Sequence, residues 1–154
     1  MSPFIIPFSE LTAKDVARVG GKNASLGEMI HHLSPLGINV PDGFAINAEA
    51  YFTFISFNKL GKTLQDKLNS IPDSLENLGE VASSCKAFML NGVFPENLKA
   101  EISNAYNNLI KKYGNEVSLA VRSSATAEDS PTASFAGQHE SFLNITGYDN
   151  LLQA

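Results

Sequence analysis

The segment that most constrains this fold is residues 120–144, AVRSSATAEDSPTASFAGQHESFLN. A short apolar run ends at Arg122 and passes into a loop of small and hydroxyl-bearing residues with the adjacent acids Glu128 and Asp129. It returns through Phe135, Ala136 and Gly137 to a second apolar run. Side chains this small bury little surface of their own. The loop is therefore either a linker or a stretch of backbone that something else approaches closely. The flanking runs, residues 117–121 and 142–145, read as strands, the first of them buried and delivering Arg122 to the loop.

The 154 residues, 44% of them hydrophobic, are enough for one core. A net charge of −5 provides no global field for nucleic acid or an anionic membrane, so any anion site must be local. Cys85, the single cysteine, excludes an intrachain disulfide framework and a cysteine-rich zinc site. The opening MSPFIIPFSE has neither a basic leader nor a long apolar segment, which reads as a soluble cytoplasmic protein.

Local patterns supply the rest of the plan. Phe4-Ile5-Ile6-Pro7-Phe8 fits an edge strand because of its proline. After Gly20-Gly21 a helix is expected that stops before Pro35, with Leu26, Met29, Ile30 and Leu33 on its apolar face. Val40-Pro41-Asp42-Gly43 signals a turn into a strand at Phe44-Ala45-Ile46. Asn47 then caps a segment that points Tyr51, Phe52 and Ile55 inward. Asp73 and Glu76 resemble a capping box for a helix carrying Leu75, Leu78, Ala82, Cys85 and Met89 on one face. Pro95 opens a second helix, with Leu98, Ile102, Ala105, Leu109 and Ile110 inward and Gly114 at its end; the two are expected to form a helical hairpin. Asp149 is placed to cap a last helix of about one turn, too short to hold itself, so the chain is expected to be cut from a longer polypeptide.

Three positions could carry chemistry. Val19-Gly20-Gly21-Lys22-Asn23 sets a lysine at the start of a helix, where unpaired N–H groups and the helix dipole favour an anion such as phosphate. A glycine turn with a solvated lysine is the plainer alternative, and the stretch lacks the glycine and hydroxyl residue of a Walker A loop at Val16 and Asn23. Arg122 offers a planar fork suited to two phosphate oxygens, or equally an ion pair with Glu128 or Asp129. Gly137 would let a ligand approach the backbone, or simply mark a bulge. Ser141 could add a hydroxyl or be an exposed strand serine. His31, His32 and His139 form no metal or triad constellation, and Cys85 reads as a small core residue.

Taken together, RVGGKNASLGEM, GINVPDGFAINAEAY and AVRSSATAEDSPTASFAGQHESFLNITG resemble, in that order, the N-terminal nucleotide-binding region of the phosphoenolpyruvate synthase (pyruvate, water dikinase) family. The likeness covers nearly the whole chain, although residues 56–116 match only in general pattern. Pyruvate, phosphate dikinase is more distant because its corresponding loop is methionine-rich. Rifampicin phosphotransferase, similar down to the GQH step, is the nearer rival. The resemblance implies an α+β fold: the helix-rich N-terminal half of an ATP-grasp domain, with a small sheet and a helical hairpin, occupying residues 1–154 and incomplete at its C-terminus. It implies that Lys22 and Arg122 hold the phosphates of ATP and that Gly137 lines the nucleotide. Ser141 stands where a threonine is common, keeping the hydroxyl but losing a methyl.

The implied reaction uses ATP, water and pyruvate to give AMP, phosphate and phosphoenolpyruvate through a phosphohistidine on a swivelling domain. That histidine and the acidic Mg2+ ligands are expected beyond Ala154, so residues 1–154 alone should lack catalysis. The alternatives are the ATP-binding part of a rifampicin phosphotransferase-like dikinase and a free-standing truncated module that binds nucleotide or regulates.

Overall fold

The structure, a computed structural model, describes residues 3–72, 74–126 and 140–154. In chain order its elements are β1 (Ile5–Pro7), α1 (Val16–Val19), α2 (Gly21–Leu33), β2 (Phe44–Ile46), α3 (Ala48–Phe57) and α4 (Leu60–Asn69). There follow α5 (Leu78–Leu90), α6 (Glu96–Tyr113), β3 (Leu119–Arg122), β4 (Ser141–Ile145) and α7 (Tyr148–Gln153). Short 3-10 turns fill several connections. This is the expected α+β class, helix-rich, with its strands in two separate antiparallel pairs, β1 with β2 and β3 with β4. No helix among the described residues is long and apolar enough to cross a membrane.

The first sheet organises the core. Successive strand residues face opposite sides, so Ile5 and Ile6 enter different clusters. Ile5 packs with Phe4, Ala50, Leu98 and Ile102, joined by Tyr148, Leu151 and Leu152 of α7. Ile6 packs with Leu11, Val19 and Ala45 on the side of α1. In a two-stranded sheet both strands are edges, and their backbone donors still need partners when buried. A side chain from α6 supplies one: Glu101 Oε2 accepts from the N–H of Phe4 at 2.7 Å and of Ile5 at 3.3 Å.

Helix α6 follows its sequence pattern closely. Pro95 is its N-cap, Gly114 ends it at φ 92°, and Leu98, Ile102, Tyr106 and Leu109 are buried. The short α7 is held by tertiary contacts: Gly147 N donates to the Tyr106 hydroxyl at 3.0 Å, and the Tyr148 hydroxyl donates to the Lys99 carbonyl at 2.9 Å. It starts at Tyr148 behind Gly147, two residues earlier than a cap at Asp149 would place it.

Elsewhere tertiary packing overrides the pattern. In α2 the buried residues are Gly21, Ala24 and Gly27, while Met29 is exposed. A Cβ on Gly27 would stand 2.2 Å from the Leu11 carbonyl oxygen, so the helix is drawn in along its small residues, and Leu26, Ile30 and Leu33 are only half-buried. In α3, Asn47 is the cap as expected, its Oδ1 accepting from Ala50 N at 3.0 Å, but Ala50 and Phe54 point inward. Tyr51 and Phe52 are 51% and 66% exposed, against the inward placement that their spacing suggests.

Helix α5 begins at Leu78 behind Asn77, later than an Asp73–Glu76 box would start it; Asp73 itself lies outside the described residues. Its buried residue is Val81, with Leu75, Leu78 and Ala82 exposed. Side by side with α5 stands α4, whereas α6 sends its apolar face to β1. The hairpin partner of α5 is thus the helix before it. The Asn58 side chain ties the end of α3 to the α5–α6 connection, accepting from Val93 N at 2.8 Å and donating to the Val93 carbonyl at 2.9 Å.

Candidate functional site

The site is built on a kink between two helices. α1 ends at Val19, whose successor Gly20 has φ 80° and ψ 159°, and α2 starts at once with Gly21. That backbone region is essentially open to glycine alone. The buried Val19 carbonyl cannot continue a regular ladder through the kink and is met from two sides. Asn23 Nδ2, from the first turn of α2, donates to it at 2.7 Å, and Ser124 Oγ donates to it at 3.0 Å.

Ser124 lies 105 residues away, at the start of the small-residue loop. A Cβ on Gly20 would stand 2.2 Å from Ser124 Oγ and 2.9 Å from the Ala125 carbonyl oxygen. The described start of the loop, Ser124 and Ala125, therefore lies against the glycine turn ahead of Lys22. Lys22 is half-buried in the first turn of α2. Arg122 is exposed at the last residue of β3, two positions before Ser124.

Opposite Arg122 in the β3–β4 register stands Ser141, and directly opposed residues project from the same face of an antiparallel pair. A bulge makes this possible. Leu119 pairs with Ile145 and Val121 with Phe142, so β4 takes three steps where β3 takes two, with Asn144 in the left-handed region at φ 59°. β3, expected to be buried, alternates half-buried and exposed residues instead, and in β4 Phe142 and Leu143 are exposed. Gly137 lies outside the described residues, as do Glu128, Asp129 and His139.

Beside this meeting point opens a cleft of about 1200 Å³. Its lining includes Arg18, Val19 and Ser124 through Thr126 together with apolar residues such as Ile46 and Phe52. Arg18 bonds Asp15 at 3.0 Å. The Asp15 carboxyl is held below its ordinary value, first by the Thr12 N–H and hydroxyl, each donating at 3.0 Å, which outweigh the opposing effect of burial, and further by Arg18. Thr12 and Asp15 form a capping box that the spacing TAKD could have revealed. Ser124 and Asn23 had no such local signal, because their partner is the carbonyl of a kink. His31 and His32 are exposed, and His32 Nε2 lies 3.2 Å from Glu28 Oε2.

The glycine turn ahead of Lys22 and the segment that follows Arg122 thus meet beside a largely apolar cleft, whose lining includes neither Lys22 nor Arg122. Residues 16–154 match the family described as Pyruvate phosphate dikinase, AMP/ATP-binding domain, and the chain belongs to it. It is similar to the phosphoenolpyruvate synthase of Neisseria meningitidis serogroup B, 48% identical over 98% of this chain and 19% of that protein. The phosphoenolpyruvate synthase of Aquifex aeolicus is 43% identical over 97% of this chain and 18% of its own length. That of Escherichia coli strain K12 is 42% identical over 99% and 19%. The chain thus spans about a fifth of the length of the curated relatives it matches. The resemblance seen in the three sequence stretches holds over essentially the whole chain.

Proposed function

We propose that this chain forms one wall of the ATP site of a phosphoenolpyruvate synthase-type phosphotransferase. Residues 1–154 act as the N-terminal part of an ATP-grasp domain. Lys22 and Arg122 grip the nucleotide phosphates, the Ser141 hydroxyl adds a donor from the face it shares with Arg122, and Gly137 lets the nucleotide lie against the backbone. The observation that carries this reading is the hydrogen bond from Ser124 Oγ to the Val19 carbonyl at 3.0 Å, in a chain of this family, because it joins the two stretches that bear the two cations. Converging donors are what a phosphate clamp needs.

In the whole protein the reaction converts ATP, pyruvate and water to AMP, phosphate and phosphoenolpyruvate, through a phosphohistidine carried by sequence beyond Ala154, in the cytoplasm. Mg2+, when bound, neutralises phosphate charge during transfer. Its acidic ligands are expected in sequence beyond Ala154, as the family resemblance implies. The contribution of this chain is binding and orientation. Positioning accounts for much of phosphoryl-transfer catalysis.

The test is Arg122→Lys in the polypeptide as its gene encodes it, which keeps the charge and removes the planar fork. Losing one charge-assisted bond, worth about 1.5–3 kcal/mol, should lower catalytic efficiency with ATP and pyruvate about tenfold or more, with the Tm unchanged. Unchanged kinetics would remove Arg122 from the site. A large fall in Tm would mean that its main role is an internal ion pair.

A further inference from the structure

We infer that Ser124 is a positioning residue, whose hydroxyl locks the Arg122 end of β3 onto the turn ahead of Lys22 so that both cations meet nucleotide phosphate as one preformed pair. This rests on the proposed phosphate-gripping roles of Lys22 and Arg122. The lock converges on a single oxygen. The Val19 carbonyl accepts Ser124 Oγ at 3.0 Å and Asn23 Nδ2 at 2.7 Å, so one donor comes from the loop two residues beyond Arg122 and the other from the helical turn that contains Lys22. Val19 is 3% exposed and held in the cluster with Ile6, Leu11 and Ala45, which makes that oxygen a fixed reference point.

Gly20 completes the arrangement, since only a residue without a Cβ leaves room for Ser124 Oγ at that spot. The two small residues thus have separate tasks: Ser124, at the start of the loop, supplies the donor, and Gly20, at the kink, the space. Without the hydroxyl, β3 keeps its ladder to β4, but the segment that follows Arg122 loses its bond to the end of α1. Arg122 must then be ordered at the moment the ligand binds, and that ordering weakens affinity.

The experiment measures ATP binding and steady-state kinetics in the polypeptide as its gene encodes it. It compares Ser124→Ala, Ser124→Thr, Arg122→Lys and the double variant Ser124→Ala/Arg122→Lys, with a thermal melt of each. Ser124→Ala should weaken ATP binding about two- to tenfold, the loss expected for one neutral hydrogen bond, and Ser124→Thr should restore most of it. If Ser124 acts through Arg122, the double variant should lose little beyond Arg122→Lys alone, because coupled residues are not additive.

Unchanged ATP affinity in Ser124→Ala, failure of threonine to rescue, or fully additive losses would each overturn the inference while leaving the phosphate-binding role of Arg122 standing. Should Arg122→Lys itself leave ATP affinity unchanged, the site reading fails, and the positioning role falls with it.

Discussion

Replacing Gly20 with alanine gives the sharpest test of the kink on which the site is built. Two penalties act together. The backbone at φ 80° and ψ 159° is a region that residues with a Cβ rarely enter, and holding one there costs about 1–3 kcal/mol. The new methyl would also stand 2.2 Å from Ser124 Oγ and 2.9 Å from the Ala125 carbonyl oxygen, and overpacking of this kind costs about 1–3 kcal/mol more. Pushing Ser124 away would further sacrifice its bond to the Val19 carbonyl. Strain relieved by one shift is not paid twice, so the expected loss is about 3–5 kcal/mol. For a chain of this size that lowers the Tm by about 6–20 °C. The assay is urea unfolding together with a thermal melt, with Gly79→Ala as the reference. Gly79 lies in α5 with nothing within 4 Å of an added Cβ, and there alanine should stabilise by about 0.5–1 kcal/mol. If Gly20→Ala is tolerated as well as Gly79→Ala, the reasoning about the kink is wrong.

Other positions give independent checks. Glu101→Ala removes the acceptor for two backbone donors at β1 and should cost about 2–4 kcal/mol in urea unfolding; a loss under 1 kcal/mol would show that water replaces it freely. Asn47→Ala deletes the α3 cap and the bond from Nδ2 to the Pro3 carbonyl at 3.0 Å, with an expected loss of about 2–3 kcal/mol and a looser N-terminal segment by hydrogen exchange. Asp42 ties the turn before β2 to the end of α6, through Lys112 at 2.7 Å and the Tyr113 hydroxyl at 3.1 Å. Burial opposes its ionisation, but bonds from Lys112, the Gly43 N–H and Tyr113 outweigh that and hold the carboxyl below its ordinary value of 3.8. A depressed carboxyl contributes stability that is fully present above pH 3.8 and lost as pH falls through the lower folded value. Asp42→Asn should therefore destabilise the chain at neutral pH and flatten its stability profile below pH 4. Parallel profiles for the two proteins in that acid range would show that the tie contributes nothing.

How much of this was legible in the sequence depends on how local each signal is. The limits of α6 came from Pro95 and Gly114, and its core face from a repeat of three and four, because propensity and periodicity act within a few residues. The Asn47 cap and the strands at Phe44 and Ser141 were readable for the same reason. The chemical types at Lys22, Arg122 and Ser141, and the family to which they belong, were also present in the order of residues alone.

What periodicity could not decide is which of two faces wins when both can be buried. In α2 and α3 the larger side chains set the predicted face, yet Gly27 against Leu11, and Ala50 with Phe54 in the core, allow the closer approach, so Met29, Tyr51 and Phe52 are left outward. The joining of the Lys22 and Arg122 stretches was likewise invisible. It depends on a buried carbonyl at a kink and a hydroxyl 105 residues later, and a hydrogen bond between groups so far apart in the chain leaves no spacing to read. Local chemistry chose the parts, while close packing around Val19 and Gly20 decided which of them meet.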